Sequence, residues 1–128
     1  MIFVSVVVHV QSSFYPHFRE NPRRRLLRGI CKELSRGLPA IGVYHSHHSE
    51  RKGGGFAPHC HLIVEVAPHR LEQFLNGLPQ DLISKDKSGY FSLSPRKKWR
   101  IQSEKINAWQ YILGPKRKHL PEIIYGRV

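Results

Sequence analysis

The spacing of apolar and polar positions changes several times along the chain, and each change marks an expected element. Residues 2–10 form an almost continuous β-branched run, which is typical of a buried strand. A helix is expected to begin at Asn21-Pro22, with Asn21 as the cap and Pro22 in the first turn. Apolar residues then recur at helical spacing until Gly37, where this helix should end.

The second part of the chain alternates strands and helices in the same way. Residues 40–48 and 58–66 are expected to be strands joined by a flexible, glycine-rich hairpin tip at 50–55. A helix should open at Pro68 and close at residues 76–79, and short strands are expected at 88–93 and 99–102. A last helix is predicted at 103–113, followed by a basic tail at 116–128. This order predicts an α+β domain with one antiparallel sheet and helices packed on it.

The net charge of the chain indicates a class of binding partner. The 128 residues carry a formal net charge of +12, with 21 Lys and Arg against 9 Asp and Glu. Such an excess attracts polyanions, and nucleic acid is the expected one. No run approaches the roughly 18–20 apolar residues of a membrane-spanning helix, and the opening segment lacks the features of a signal peptide. We therefore predict a cytoplasmic protein without a membrane partner, with Cys31 and Cys60 as free thiols.

Two histidines offer metal chemistry at the start of the expected strand at 58–66. His59 and His61 are separated by one residue, so both imidazoles should project from the same face of the strand. Parallel imidazoles on a rigid strand make half of a metal site. If the hairpin centres on its glycines, His47 lies across from His61 and is the first choice for a third ligand. His45 and Glu50 remain alternatives.

A tyrosine in the expected last helix offers a nucleophile. Ile106, Trp109 and Leu113 fall on one helical stripe, whereas Tyr111 lies off it. A phenol is a weak nucleophile until a metal ion or a base assists it. Beside a metal-bound phosphate, the Tyr111 hydroxyl could attack phosphorus.

Basic residues cluster where a nucleic acid could be held. Several arginines crowd the start of the first helix, where they oppose the helix dipole and are expected to serve a ligand. Others lie in the turn at 94–98, in the strand after it and in the tail. The predicted phosphate contacts are Arg23, Arg24, Arg25, Lys97, Lys98, Arg100 and Arg117.

These features together resemble the HUH endonucleases, named for a histidine-hydrophobic-histidine motif. Here the motif is His59-Cys60-His61, followed by Leu62-Ile63-Val64. Within the family, the chain is similar to the origin-nicking domains of rolling-circle replication initiators. These also carry a strand like Trp99-Arg100-Ile101-Gln102 before a tyrosine helix like Ala108-Trp109-Gln110-Tyr111-Ile112. The resemblance spans roughly residues 1–118.

The resemblance implies a five-stranded antiparallel sheet of ferredoxin-like or RNA-recognition-like type, with residues 1–128 as a single HUH endonuclease domain. It implies Mg²⁺ or Mn²⁺ held by the histidine pair and a third polar ligand. It also implies site-specific cleavage of single-stranded DNA at an origin or hairpin, with Tyr111 joined to the 5′-phosphate. The released 3′-hydroxyl would start rolling-circle replication of a virus or plasmid.

Other features of the family fit this chain less closely. Replication initiators often carry a lysine three residues after the tyrosine; here Gly114 holds that place, and Lys116 is the nearest lysine. The chain has no phosphate-binding loop of the nucleoside triphosphatases, so the resemblance implies a separate helicase and polymerase, in the host cell if the replicon is viral. Whether the domain forms a homodimer stays open.

Three alternatives remain open from the sequence. The first is a transposase or relaxase with the same chemistry. The second is a non-catalytic RNA-recognition-like module, which the histidines and aliphatic residues of the third strand disfavour because such modules carry stacking aromatics there. The third is a zinc-stabilised domain with a closed shell of four ligands, His45, His47, His59 and His61.

Overall fold

The computed structural model describes residues 1–19, 24–48, 53–103 and 121–127. The expected helix at 103–113 therefore lies almost wholly outside the described residues. The described part holds two α-helices, six strands and short 3₁₀ segments, of which Ser12–Arg19 is the longest. In chain order these are β1 (Ile2–Val10), α1 (Arg24–Ser35), β2 (Ala40–His47), β3 (Phe56–Val66), α2 (Leu71–Lys85), β4 (Phe91–Leu93), β5 (Arg100–Gln102) and β6 (Glu122–Arg127).

The strands form one sheet in the order β4-β1-β3-β2-β6, with β5 also paired to β1. Every pairing is antiparallel. The predicted α+β class with an antiparallel sheet and packed helices is confirmed. The sheet has six strands in the described residues rather than five, because part of the expected tail joins it.

Alternation along the strands separates two faces of the sheet. One face packs against α1 and α2, because β-branched and leucine side chains at alternate positions bury themselves against the apolar stripes of both helices. The main core comprises Val4, Val6, Val8, Cys60, Leu62 and Val64 from the strands with Leu27, Ile30, Leu34, Phe74, Leu75 and Leu78 from the helices. The opposite face carries His9, His45, His59 and His61, and this placement positions the candidate site.

The tail prediction was wrong for residues 122–127. These residues form β6, which pairs with β2 at the edge of the sheet. Tyr125 is 9% exposed, and its hydroxyl lies 3.3 Å from the Ser35 hydroxyl on α1. The burial of this aromatic ring anchors the segment to the core and so favours a paired strand over a free tail.

The predicted end of the second helix was also wrong. Helix α2 continues through Pro79 as far as Lys85. Proline removes the hydrogen bond to the carbonyl of Leu75, but Leu78 and Leu82 extend the buried stripe on both sides of it. Burial of that stripe against the sheet therefore outweighs the local cost of the proline.

In the described part of the chain, no helix has the length and apolar character needed to cross a membrane.

Candidate metal centre

The β2–β3 hairpin determines which histidines meet. Its register places His45 opposite His59 and Val43 opposite His61, whereas His47 pairs with Phe56. The register shifts between His45 and His47, at the point where Pro58 has no N–H to give to the ladder. The predicted pairing of His47 with His61 is therefore wrong.

The reason lies in where the turn closes. The backbone N–H of His48 donates to the carbonyl of Gly55 over 2.9 Å, so the two strands are still joined at this pair. Gly53 and Gly54, with φ of 93° and 67°, lie just before this pair on the β3 side of the hairpin. The hairpin therefore centres earlier in the chain than its glycines indicate, and this change of register brings His45 to the histidine pair.

Three imidazoles form a compact group on this face, which we call the histidine cluster: His45, His59 and His61. The ring centres are 5.2 Å apart for His45 and His59, 5.0 Å for His45 and His61, and 5.2 Å for His59 and His61. The three residues are 1%, 6% and 8% exposed. Buried polar side chains that converge from two strands are a common feature of metal and catalytic sites.

A hydrogen bond to the backbone of β3 sets the tautomer of His59. Its Nδ1 lies 2.6 Å from the carbonyl oxygen of Ala57, and because a carbonyl can only accept, Nδ1–H must donate. In the neutral ring the lone pair is then on Nε2. Metal-bound histidines are commonly oriented by such a hydrogen bond from the other ring nitrogen.

The cluster fits a divalent cation in donor type and spacing. Imidazole nitrogens bind an ion at about 2.0–2.1 Å, so three ring centres around one tetrahedral ion lie about 5 Å apart, as they do here. Nevertheless, among the described residues no group of three or more His, Cys, Asp or Glu is already arranged so that it could hold an ion. The spacing is thus present, whereas the convergence of the donor atoms is not.

His47, the first choice for the third ligand, lies two residues beyond His45 on β2. Its ring packs edge-on against Phe56 with 5.3 Å between centres, and its Nδ1 hydrogen-bonds the Ser46 hydroxyl at 2.7 Å. Tyr15 also contacts the Phe56 ring, with ring centres 5.5 Å apart. His47 therefore contacts Phe56, and His45 is the residue of β2 whose ring lies beside both His59 and His61.

Two further histidines border the cluster that the sequence did not predict there, and one of them is His48, whose ring centre is 6.1 Å from that of His59. His9 on β1 pairs with His59, and the two ring centres are 6.0 Å apart. His9 ends a β-branched run, and nothing in that run indicates that β1 lies beside β3. Only the strand order shows that this imidazole of β1 borders the cluster.

The strand behind the cluster carries a buried thiol. Cys60 lies between His59 and His61 but faces the helices, where it is fully buried. Burial is the main reason why the pKa of the Cys60 thiol is raised well above its ordinary value, and the contact with the Cys31 thiol raises it further. Cys60 is therefore a core residue that anchors the strand, as its position in the sequence predicted.

One predicted phosphate contact shares the face of the cluster. Arg100 on β5 is exposed and pairs with Ser5 of β1, which projects from the histidine face. Paired strand geometry separates the Cα atoms of Arg100 and His61 by about 12 Å. Lys97 and Lys98 lie exposed in the short turn just before β5. These three cations border the same edge of the sheet.

The arginines of α1 lie elsewhere. Helix α1 packs on the face opposite the cluster. Arg24 forms an ion pair with Glu122 of β6, and its guanidinium carbon lies 5.2 Å from the centre of the Tyr44 ring. Arg25 is exposed on that far side. Arg24 therefore joins α1 to the sheet, and neither side chain is near the histidines.

Several predicted site residues lie outside the described residues. They include the proposed nucleophile, the nearby lysine, the alternative carboxylate ligand and two of the arginines. These are Tyr111, Lys116, Glu50, Arg23 and Arg117.

Comparison with known proteins gives a limited result. No protein-family model matches the chain, and a comparison with curated proteins finds no match. Among solved structures, the fold is similar to the catalytic domain of the adeno-associated virus type 5 Rep protein. The TM-score is 0.48 with 15% sequence identity, over 95% of this chain and 86% of that one.

Proposed function

We propose that this protein is a divalent-metal-dependent, single-tyrosine enzyme that nicks and rejoins single-stranded DNA. The observation that carries the proposal is the histidine cluster, with three imidazole centres 5.0–5.2 Å apart on one face of the sheet. The resemblance of His59-Cys60-His61 and the Tyr111 segment to the HUH endonucleases supports the same activity.

His45, His59 and His61 are the proposed metal ligands. On binding an ion, the three rings would rotate about their side-chain torsions so that one nitrogen of each faces the ion. The spacing of the rings already suits one ion. A bound divalent ion would polarise a phosphodiester and stabilise the charge that develops on it. Three nitrogen donors favour Mn²⁺ over Mg²⁺, because Mg²⁺ prefers oxygen ligands.

Tyr111 is the proposed nucleophile. Its phenolic oxygen attacks phosphorus and gives its proton to a base, while the bond from phosphorus to the 3′-oxygen breaks and that oxygen takes up a proton. The products are a 5′-phosphotyrosine and a free 3′-hydroxyl. Attack by that hydroxyl on the phosphotyrosine reverses the reaction, so rejoining needs no nucleotide cofactor. We assign Lys116, five residues after the tyrosine in the sequence, the role of balancing the charge on the phosphate.

Basic side chains at the β5 edge of the sheet are proposed to hold the single-stranded DNA. Arg100 lies on the histidine face of the sheet and is exposed to solvent. Lys97 and Lys98 continue this positive edge. The α1 arginines lie on the other side of the sheet, so Arg25 is not part of this path. The order of the cations therefore leads the DNA across β5 and β1 towards His61.

The proposed biological role is the start of rolling-circle replication of a virus or plasmid, in the cytoplasm or in the host cell. Unwinding and synthesis would come from a separate helicase and polymerase. A transposase or relaxase would use the same site and chemistry. The DNA that the protein cuts in its own replicon distinguishes these roles.

The test is a cleavage reaction with end-labelled single-stranded DNA from the protein's own replicon. We expect a Mn²⁺-dependent covalent adduct on Tyr111, seen on a denaturing gel and located by mass spectrometry. Tyr111→Phe should abolish the adduct while DNA affinity stays within about twofold, since it removes one hydroxyl group. Tyr15→Phe is the matched control, because Tyr15 is a half-buried tyrosine at the histidine end of the sheet.

An adduct that persists in Tyr111→Phe would assign the nucleophile to another residue. Tight DNA binding without any adduct, in either Mn²⁺ or Mg²⁺, would contradict the nicking activity. In that case a non-catalytic binding module would account for the basic charge.

A further inference from the structure

Two thiols meet in the core directly behind the histidine cluster. Cys31 on α1 and Cys60 on β3 are both 0% exposed, and their Sγ atoms are 3.4 Å apart. The Cys60 Sγ also lies 3.7 Å from the carbonyl oxygen of His61, so its S–H has an acceptor there. In the reduced protein the two thiols thus form a short hydrogen-bonded chain from α1 to the backbone of β3.

Gly42 makes room for this pair. A Cβ atom at Gly42 would lie 2.9 Å from the Cys31 Sγ and 3.3 Å from the Cys60 Sγ, closer than side chains normally approach. The strand next to β3 therefore leaves open the space that the two sulfurs share. Residues 31 and 60 are far apart in sequence, so only the fold brings these thiols together.

We infer that Cys31 and Cys60 form a reversible disulfide that ties α1 to the strand bearing His59 and His61. A disulfide bond is about 2.0 Å long, so the sulfurs must approach by roughly 1.4 Å, shared between a helix and a strand. The bond is uncharged, so it suits a fully buried site better than a thiolate does. This inference does not depend on the proposed nicking activity.

The co-reactant is a disulfide such as oxidised glutathione. Each protein thiol gives up one hydrogen atom, a bond forms between the two sulfurs, and the electron pair and both hydrogens convert oxidised glutathione into two reduced molecules. A reduced dithiol reverses the exchange. The cross-link would close a loop over residues 31–60 and restrict the unfolded chain, which raises the thermal midpoint of the oxidised protein.

The test measures the equilibrium of the pair in buffers of reduced and oxidised glutathione, with a chelator present. The protein is refolded in each buffer, so that slow access to the core does not decide the result, and free thiols are then alkylated. We expect a peptide linking Cys31 to Cys60, the loss of two hydrogen atoms and reversal by dithiothreitol. Its equilibrium constant should exceed that of the urea-unfolded chain by at least about tenfold, because the fold holds the thiols together.

Gly42→Ala should push the sulfurs apart and lower this constant towards that of the unfolded chain. Gly126→Ala on the neighbouring strand is the matched control, because a Cβ there meets nothing within 4 Å. Equal constants for folded and unfolded protein, single glutathione adducts or links between separate molecules would each overturn the inference. The comparison of folded with unfolded wild-type protein decides the question even if Gly42→Ala does not fold.

Discussion

Replacing His45 with alanine should remove most of the metal-dependent stabilisation, whereas replacing His47 should preserve it. Both residues lie on β2, two positions apart, yet only His45 has its ring centre within 5.2 Å of both His59 and His61. His47 contacts Phe56 and Ser46 instead. The two variants therefore separate a ligand role from a general effect of losing an imidazole in this strand.

The expected loss of Mn²⁺ affinity follows from the number of ligands that are removed. Loss of a partner that only orients a ligand weakens metal binding about 10–100-fold, so loss of one of three ligands should cost at least about 100-fold. At an ion concentration near 100 times Kd, binding stabilises the wild-type fold by about 2.7 kcal/mol. At the same concentration the His45→Ala protein would gain only about 0.4 kcal/mol. For a domain of this size, the rise in Tm is about 8–16 °C for wild type and about 1–2 °C for His45→Ala.

The assay is thermal unfolding of each protein with chelator and with Mn²⁺, together with titration calorimetry. The difference between the two unfolding curves is taken within each variant, so any loss of basal stability from the His45 cavity cancels. We expect His47→Ala to keep the full rise in Tm. An equal loss in both variants, or a loss in His47→Ala alone, would refute the assignment of His45.

Two further predictions test the electrostatics of the fold. Arg100→Ala should reduce the slope of log affinity against log salt concentration for single-stranded DNA by about 0.7, the value of one phosphate contact. Arg25→Ala, on the far face of the sheet, should leave this slope unchanged. Equal effects of the two variants would contradict the proposed DNA path. Because burial raises the pKa of Cys60, its stabilising contribution is complete below the ordinary thiol pKa of about 8.5 and is lost as pH rises towards the folded value. The Tm in chelator should thus fall above about pH 8.5, less steeply in Cys60→Ala; an unchanged slope would assign the loss to other groups.

Local patterns predicted the fold class and the orientation of the histidine pair. The β-branched run of β1 and the alternation of β3 are properties of single strands, so they can be recognised without knowledge of their partners. The projection of His59 and His61 from one face follows from that alternation, and Cys60 faces the core for the same reason.

The third histidine depended on register, which the sequence indicates poorly. The glycines at 53–55 suggested the centre of the hairpin, but the loop closes at His48 and Gly55, and the register shifts again near Pro58. A register error changes every cross-strand partner, so His47 was preferred to His45. The positions of His9 and β6 depended on strand order, which involves contacts between distant parts of the chain. The extension of α2 through Pro79 reflects tertiary burial that outweighs local propensity.

Anomalous diffraction from crystals soaked in Mn²⁺ tests the central claim most directly, because it locates the ion without reliance on activity. We expect one strong peak in contact with His45, His59 and His61, with His47 still packed against Phe56. A peak bound by His47 in place of His45, or no peak at the histidine cluster at saturating Mn²⁺, would contradict the account.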